Sequence, residues 1–265
     1  MSDFTVTRFP NGISDSAEDS WGGDLAAINP TRYFGFADDF AGPTTFPIAA
    51  SALAAASNST WTLTVTEAGA GDASSAIANA NGGVLTLTTD AADNDAIFAQ
   101  RKGESFLLTA GKKTFFKTRF KLTDATANAA SILESEFYFG LMVTDTDPLS
   151  STAGDGVTDG IFFMKEDGTQ NVNFYVQKNA TTGQLTSSAV TTITVNTYVT
   201  LGFAFDGARY VRLFKDDAYL TTIDLTETLT TYLPDSTLTV SFGIKNGEAV
   251  AKVLSLDYIV AMQER

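Results

Sequence analysis

The sequence predicts an all-β protein: two antiparallel sheets packed as a sandwich, preceded by an irregular N-terminal arm. Three observations predict it. Apolar residues recur with period two in segment after segment, the repeat of a half-buried strand. Short turn signals separate the segments: Asn81-Gly82-Gly83, Asp167-Gly168, Thr182-Gly183, Asp206-Gly207, Pro234-Asp235 and Asn246-Gly247. Thr and Phe are used heavily, as suits pleated surfaces. About a dozen such strands in one run require two packed sheets, because isolated hairpins are not stable. With 265 residues, 44% of them apolar, the chain can bury one sizeable core.

Residues 1–35 open the chain without a regular element, since Asn11-Gly12, Gly22-Gly23 and Asn29-Pro30 interrupt any period. Yet Phe4, Phe9, Trp21, Tyr33 and Phe34 are too many large apolar groups for a solvated tail. Such aromatics need a surface, either the arm's own sandwich or another subunit. The arm, with Arg8 among its aromatics, is therefore the candidate partner-binding segment, and residues 36–265 are the sandwich. The Ala-rich stretch 49–57 is a candidate for a turn or two of helix, and 125–133 is a second one.

The strands follow in order. Trp61, Leu63 and Val65 alternate with Thr60, Thr62 and Thr64. Further strands fall at 84–89 and 95–100. In 115–122, Phe116, Phe120 and Leu122 take one face, and Lys117, Arg119 and Lys121 take the other. Strands at 135–144, 159–165 and 171–178 come next, with 145–160 as the longest loop. Val199, Leu201, Phe203 and Phe205 share a face, and strands at 209–214 and 218–225 follow. Leu238, Val240, Phe242 and Ile244 alternate with Thr and Ser, and Leu254, Leu256, Tyr258 and Val260 close the chain on one expected face. The expected inward set is Trp61, Phe116, Phe120, Phe139, Leu201, Phe203, Phe242 and Leu256.

Charge and missing residue types exclude several functions. The net charge is −14, which argues against nucleic acid and against an anionic membrane as partners. There is no Cys, so disulfides, thiolate metal sites and Cys nucleophiles are excluded. There is no His, which removes the commonest general base and metal ligand. Residues 1–10 hold no apolar run with a basic flank, so no secretory leader is expected, and synthesis in a cytoplasm is. No apolar run approaches the roughly 18 residues that span a bilayer.

Two resemblances add to this reading. The runs Phe36-Ala37-Asp38-Asp39-Phe40, Asn81-Gly82-Gly83-Val84-Leu85-Thr86-Leu87, Phe115-Phe116-Lys117-Thr118-Arg119-Phe120-Lys121-Leu122 and Phe139-Gly140-Leu141 resemble the first half of concanavalin A-like (laminin G-like) jelly rolls. Tyr198-Val199-Thr200-Leu201-Gly202-Phe203-Ala204-Phe205-Asp206-Gly207 with Val211-Arg212-Leu213-Phe214-Lys215-Asp216-Asp217, and the closing Leu254-Ser255-Leu256-Asp257-Tyr258-Ile259-Val260, resemble its second half. This resemblance covers about residues 36–263 and implies a fold rather than an activity. The opening Thr7-Arg8-Phe9-Pro10-Asn11-Gly12, the aromatic arm and the Cys-free, Thr-rich, acidic sandwich are also similar to virion structural proteins of tailed bacteriophages, such as head decoration (cement) proteins. That resemblance implies a non-enzymatic protein on the capsid exterior. It would be a homo-oligomer contacting sister subunits, the major capsid protein, or both.

Candidate chemistry is sparse, and no catalytic residue is assigned. Glu134 and Glu136 share one strand face, with backbones roughly 6.5–7 Å apart. Retaining glycosidases hold their carboxyls about 5–5.5 Å apart. Some glucanases of this fold use a Glu-x-Asp-x-x-Glu strand. Here Glu134-Ser135-Glu136-Phe137-Tyr138-Phe139 lacks the Asp, and Phe139 stands where the last Glu would be. The plainer reading is a solvated strand start. Asp145, Asp147, Asp155 and Asp159 are candidate Ca²⁺ ligands, against the alternative that they form turns. Asp90, Asp93, Asn94 and Asp95 form a second such cluster. Lys112, Lys113, Lys117, Arg119 and Lys121 form a basic patch, for an acidic partner or for pairing across strands. Tyr138, Tyr175 and Tyr210 are candidates to stack on sugars. Asn173, Tyr175 and Gln177 share a face, so a glycan-binding module is the alternative function, ahead of a polysaccharide-degrading enzyme.

Overall fold

A computed structural model describes residues 33–40, 46–58, 60–68, 71–78, 82–124, 132–149, 156–179, 185–226 and 229–265. The strands are β1 (Tyr33–Asp38), β2 (Ala56–Ser57), β3 (Trp61–Thr66), β4 (Ser74–Ala78), β5 (Val84–Thr88) and β6 (Ala96–Arg101). They continue with β7 (Thr114–Asp124), β8 (Ser135–Met142), β9 (Gly160–Lys165), β10 (Asn171–Gln177) and β11 (Leu185–Thr192). The last five are β12 (Val199–Phe205), β13 (Tyr210–Lys215), β14 (Ala218–Asp224), β15 (Thr239–Asn246) and β16 (Lys252–Glu264). They form two eight-stranded sheets. One runs β14-β13-β12-β7-β16-β5-β4, with β1 also paired to β16; the other runs β11-β10-β9-β8-β15-β6-β3-β2. This is the two-sheet sandwich that the period-two pattern predicts, and the jelly roll that the resemblance implies. No helix among the described residues is long and apolar enough to cross a membrane.

The inner faces meet in one core. All eight expected inward residues belong to it, each fully buried. Aromatic rings carry it across the gap: Phe40, Phe46, Phe242, Phe139 and Phe120 follow one another at centroid distances of 6.4, 6.0, 6.0 and 4.3 Å. Trp61 stands edge-on to Phe242 at 5.3 Å. Phe116 stacks on Phe203 at 5.4 Å, and Phe203 meets Phe174 at 5.5 Å.

Turns form where the sequence marks them. Asp206 Oδ1 accepts the amides of Ala208, Arg209 and Tyr210 at 2.8, 2.8 and 2.9 Å. Asp216 and Asp217 both take positive φ, 49° and 63°, as the two central residues of a tight hairpin turn require.

Three expectations need correction. The stretch 49–57 is not a helix. Ala49 bridges Ser75, the Leu53 amide donates to Ala73 O at 2.7 Å, and 56–57 is β2. The edge of β4 offers these amides partners, and that overrides the alanines' propensity. Second, β16 does not keep one face throughout. A bulge between Leu256 and Tyr258 exchanges the faces, so Ile259 and Ala261 enter the core while Tyr258 and Val260 turn outward. Third, β1 straddles the expected end of the arm, pairing from Tyr33↔Glu264 to Asp38↔Ile259. The helix candidate at 125–133 lies outside the described residues up to 131.

Phe242 links Trp61, Phe46 and Phe139, so its removal leaves a cavity between the sheets. Phe242→Ala is expected to cost about 3–5 kcal/mol of unfolding free energy, read from urea denaturation midpoints. A loss within error of zero would contradict this packing.

Candidate functional site: the outer face of the β8 sheet

The face of the β8 sheet turned away from the core is not a solvated surface. Ala96, Phe98, Tyr138, Met142, Phe162, Met164 and Tyr175 form a second buried cluster there. Two glycines make the close packing possible. A Cβ on Gly243 would lie 2.6 Å from the Phe98 ring and 2.8 Å from the Tyr138 ring, and one on Gly140 would lie 2.5 Å from Phe162 Cβ. Without side chains at these points, Phe98 and Tyr138 approach to 6.0 Å, and Phe162 stacks on Tyr175 at 5.3 Å.

Leu149 and Val157, at the two described ends of the connection from β8 to β9, join this cluster. Polar side chains tie the connection down. Gln100 Nε2 donates to Val143 O at 3.2 Å, and its Oε1 accepts the Asp145 amide at 2.8 Å. Lys245 Nζ donates to Leu149 O at 2.9 Å.

A charged cluster closes one end of the face. Glu136 is 7% exposed, and its Oε2 lies 3.9 Å from Lys245 Nζ without a hydrogen-bond partner. Burial pushes its carboxyl above the usual range, with Lys245 opposing the shift. The expected solvated strand start is therefore wrong for Glu136: the face around it is filled. Glu134, half-buried, precedes β8. Glu166 Oε1 accepts from Tyr175 Oη and from Asn173 Nδ2. Beside them Lys165 is fully buried and donates to Leu133 O at 2.9 Å, Glu166 O at 3.1 Å and Ser135 O. Burial lowers its ammonium to a pKa of about 8. Lys165, Glu166 and Lys245 were not among the sequence candidates. Lys165 had a signal, because it continues the inward parity of Ile161 and Phe163, where a cation needs a dedicated set of acceptors.

The tyrosine candidates are corrected by the same packing. Tyr138 and Tyr175 are 0% and 1% exposed, and Gln177 is buried beside them. Tyr210 is half-buried, with the Arg209 guanidinium 4.4 Å from its ring centroid. Among the loop acids, Asp145 Oδ1 accepts the Asp147 amide at 2.9 Å, as in an Asx turn. Asp159 Oδ2 accepts the Asn179 amide at 3.2 Å, and Asp155 lies outside the described residues. Among the described residues no three His, Cys, Asp or Glu side chains gather to hold a metal ion. In the 90–95 cluster, Asp95 Oδ2 accepts the Ala92 amide at 2.9 Å, which is turn formation, and its Oδ1 accepts the distant Ala68 amide at 2.9 Å.

On the opposite sheet three residues of the basic strip find partners on an adjoining strand and on turns. Lys117 meets Asp217 at 2.6 Å, Arg119 pairs with Asp257, and Lys121 reaches Asn196 at 3.0 Å. Of the arm candidates, Tyr33 is 3% exposed, and Phe34 packs 5.4 Å from Phe106. Phe4, Arg8, Phe9 and Trp21 lie outside the described residues.

No protein-family model matches the chain, and no curated protein matches its sequence. Solved structures do match. One is the endo-1,3-beta-glucanase of Streptomyces sioyaensis, 12% identical over 89% of this chain and 98% of that one, with a TM-score of 0.58. A protein of unknown function from Shewanella oneidensis MR-1 is 18% identical over 95% and 97%, at 0.54. The Emp47p carbohydrate recognition domain is 8% identical over 88% and 97%, at 0.53. The chain therefore has the concanavalin A-like jelly-roll fold shared by lectins and glucanases. At these identities the likeness extends to the fold alone.

The Lys165 ammonium generates a pH test. Its pKa is about 8 in the fold against 10.5 in the unfolded chain, so between those values the unfolded chain binds more protons. This group therefore makes the fold gain stability as pH rises through that window. Lys165→Met should remove the gain, so parent and variant profiles should diverge above about pH 8. Parallel profiles in urea denaturation would show that the ammonium is not desolvated.

Proposed function

We propose that this chain is a non-enzymatic structural protein of a tailed-phage virion, decorating or cementing the capsid exterior. In this reading it is made in the host cytoplasm, assembles as a homo-oligomer, and reaches sister subunits or the major capsid protein through its N-terminal segment. The observation that carries the reading is the filled outer face of the β8 sheet. Glu136, Tyr138 and Tyr175 are the groups that sugar chemistry would use there, and they are 0–7% exposed, with the two tyrosines in one buried cluster with Leu149 and Val157. A stacking platform must be open to its sugar, and an acid must reach the glycosidic oxygen. The net charge of −14 supports the same reading, since a negative exterior keeps particles dispersed and repels DNA. So do the aromatic N-terminal segment and the acidic, Cys-free make-up that resemble phage decoration proteins.

Mass spectrometry of purified particles is the test. The protein is expected among the structural components of the virion, with no binding above background on a glycan array and no sugar release from polysaccharides. Its absence from particles would refute the structural role. Selective glycan binding by the purified chain would put a lectin-like host-adhesion module in its place.

A further inference from the structure

We infer that the edge of β1 turned away from β16 is a strand-addition site, filled in the assembly by residues 4–9 of a second copy of this chain. The inference rests on the reading that the N-terminal segment makes subunit contacts, and it names the surface that receives the segment.

Strand β1 lies on β16 in continuous register, without a bulge. Among the described residues no strand pairs with its other edge along residues 34–38. An exposed strand edge presents a row of backbone donors and acceptors, and proteins usually blunt it with bulges, Lys or Pro. Other edges of this molecule are blunted. The pairing of β11 shifts between Val172 and Phe174, and Ala189 within β11 takes a φ of 49°. The pairing of β14 shifts between Leu213 and Phe214, and β4 is partly covered by the Ala49–Ser75 bridge. The sequence of β1, Tyr-Phe-Gly-Phe-Ala-Asp, contains no such guard.

The edge is also firmly held and flanked by space. A Cβ on Gly35 would lie 2.6 Å from Ala261 O and 2.7 Å from Met262 Cγ, so β1 sits closer to β16 than a larger residue would permit. Beside it is a cleft of about 370 Å³ bordered by Phe34, Phe36, Ala37, Met262 and Arg265. An added strand gains affinity from main-chain hydrogen bonds, and this edge offers a row of them along residues 34–38.

The chain holds a segment of matching form. Within residues 1–32, the run Phe4-Thr5-Val6-Thr7-Arg8-Phe9 is rich in aromatic and β-branched residues, alternates apolar with Thr over its first four, and is ended by Pro10. It has the length of β1. Residues 10–32 separate it from β1, and hairpin connections usually have about 2–5 residues, so a local hairpin is disfavoured. Extended, that connection reaches roughly 75 Å, enough to cross to a neighbour. Two copies can exchange these segments reciprocally, which closes the assembly.

The chain has no Cys, so any disulfide reports an introduced pair. A chain carrying Val6→Cys is mixed with a differently tagged chain carrying Ala37→Cys, oxidised and run on a denaturing, non-reducing gel. Thr5→Cys and Thr7→Cys cover the other registers. The expected result is a shift from monomer to a dimer holding both tags, absent when Val6→Cys is mixed with Tyr219→Cys. Two outcomes would overturn the inference: no mixed dimer at any of the three positions, or a chain bearing both Val6→Cys and Ala37→Cys that locks as a monomer. Either one, with the protein still present in purified virions, refutes the strand exchange and leaves the structural role standing.

Discussion

The packing of aromatic rings between the two sheets is the interaction on which the rest of this structure depends. There is no disulfide, and helix is confined to short turns among the described residues, so the sheets are joined by side-chain burial. Phe120 on β7 and Phe139 on β8 stand 4.3 Å apart, the tightest ring contact across the gap. Once these rings pack, the period-two geometry of a strand decides every other position: an inward Phe forces its neighbours outward. The basic strip Lys117, Arg119 and Lys121 therefore lies on the outside of β7, and Glu136 and Tyr138 lie on the outside of β8.

The two outer faces meet this constraint differently. Outside β7, cations are satisfied by acids and tyrosines from adjoining strands and turns. Arg119 pairs with Asp257 and lies 4.3 Å from the centre of the Tyr198 ring. Such pairs are modest stabilisers, and they keep the face polar. Outside β8, glycines at 140 and 243 let large rings lie flat, and Leu149 and Val157 pack with them. Burying Glu136 there, and Lys165 on the inward side of β9, is costly unless other groups compensate. Three backbone carbonyls around Lys165 compensate the cation, and Lys245 faces the acid. The result is a sandwich whose sheet surfaces are largely self-satisfied, which directs attention to its edges and its N-terminal segment.

Much of this was legible in the sequence, and the exceptions have physical causes. Strands with large alternating side chains, such as β7, β12 and β15, declare themselves because half their surface must be apolar. Strands β4 and β11, Ser-Ser-Ala-Ile-Ala and Leu-Thr-Ser-Ser-Ala-Val-Thr-Thr, do not, because edge strands bury little and need no strong alternation. The bulge in β16 is invisible to a fixed period, since one inserted residue reverses every inference after it. At the candidate site, the positions of Glu136, Tyr138 and Tyr175 on one face followed from parity. Their burial did not, because it depends on Leu149 and Val157 packing against the sheet and on two glycines whose role appears only when the strands are side by side.

In the proposed assembly the sandwich is a finished scaffold and the N-terminal segment makes the subunit contacts. The most direct measurement compares the full chain with one lacking residues 2–30, for folding and for rebinding to particles stripped of the protein. The account predicts that the shortened chain keeps the urea midpoint of its parent and loses rebinding. A shortened chain that binds particles as tightly as the full one, or that no longer folds, would contradict it.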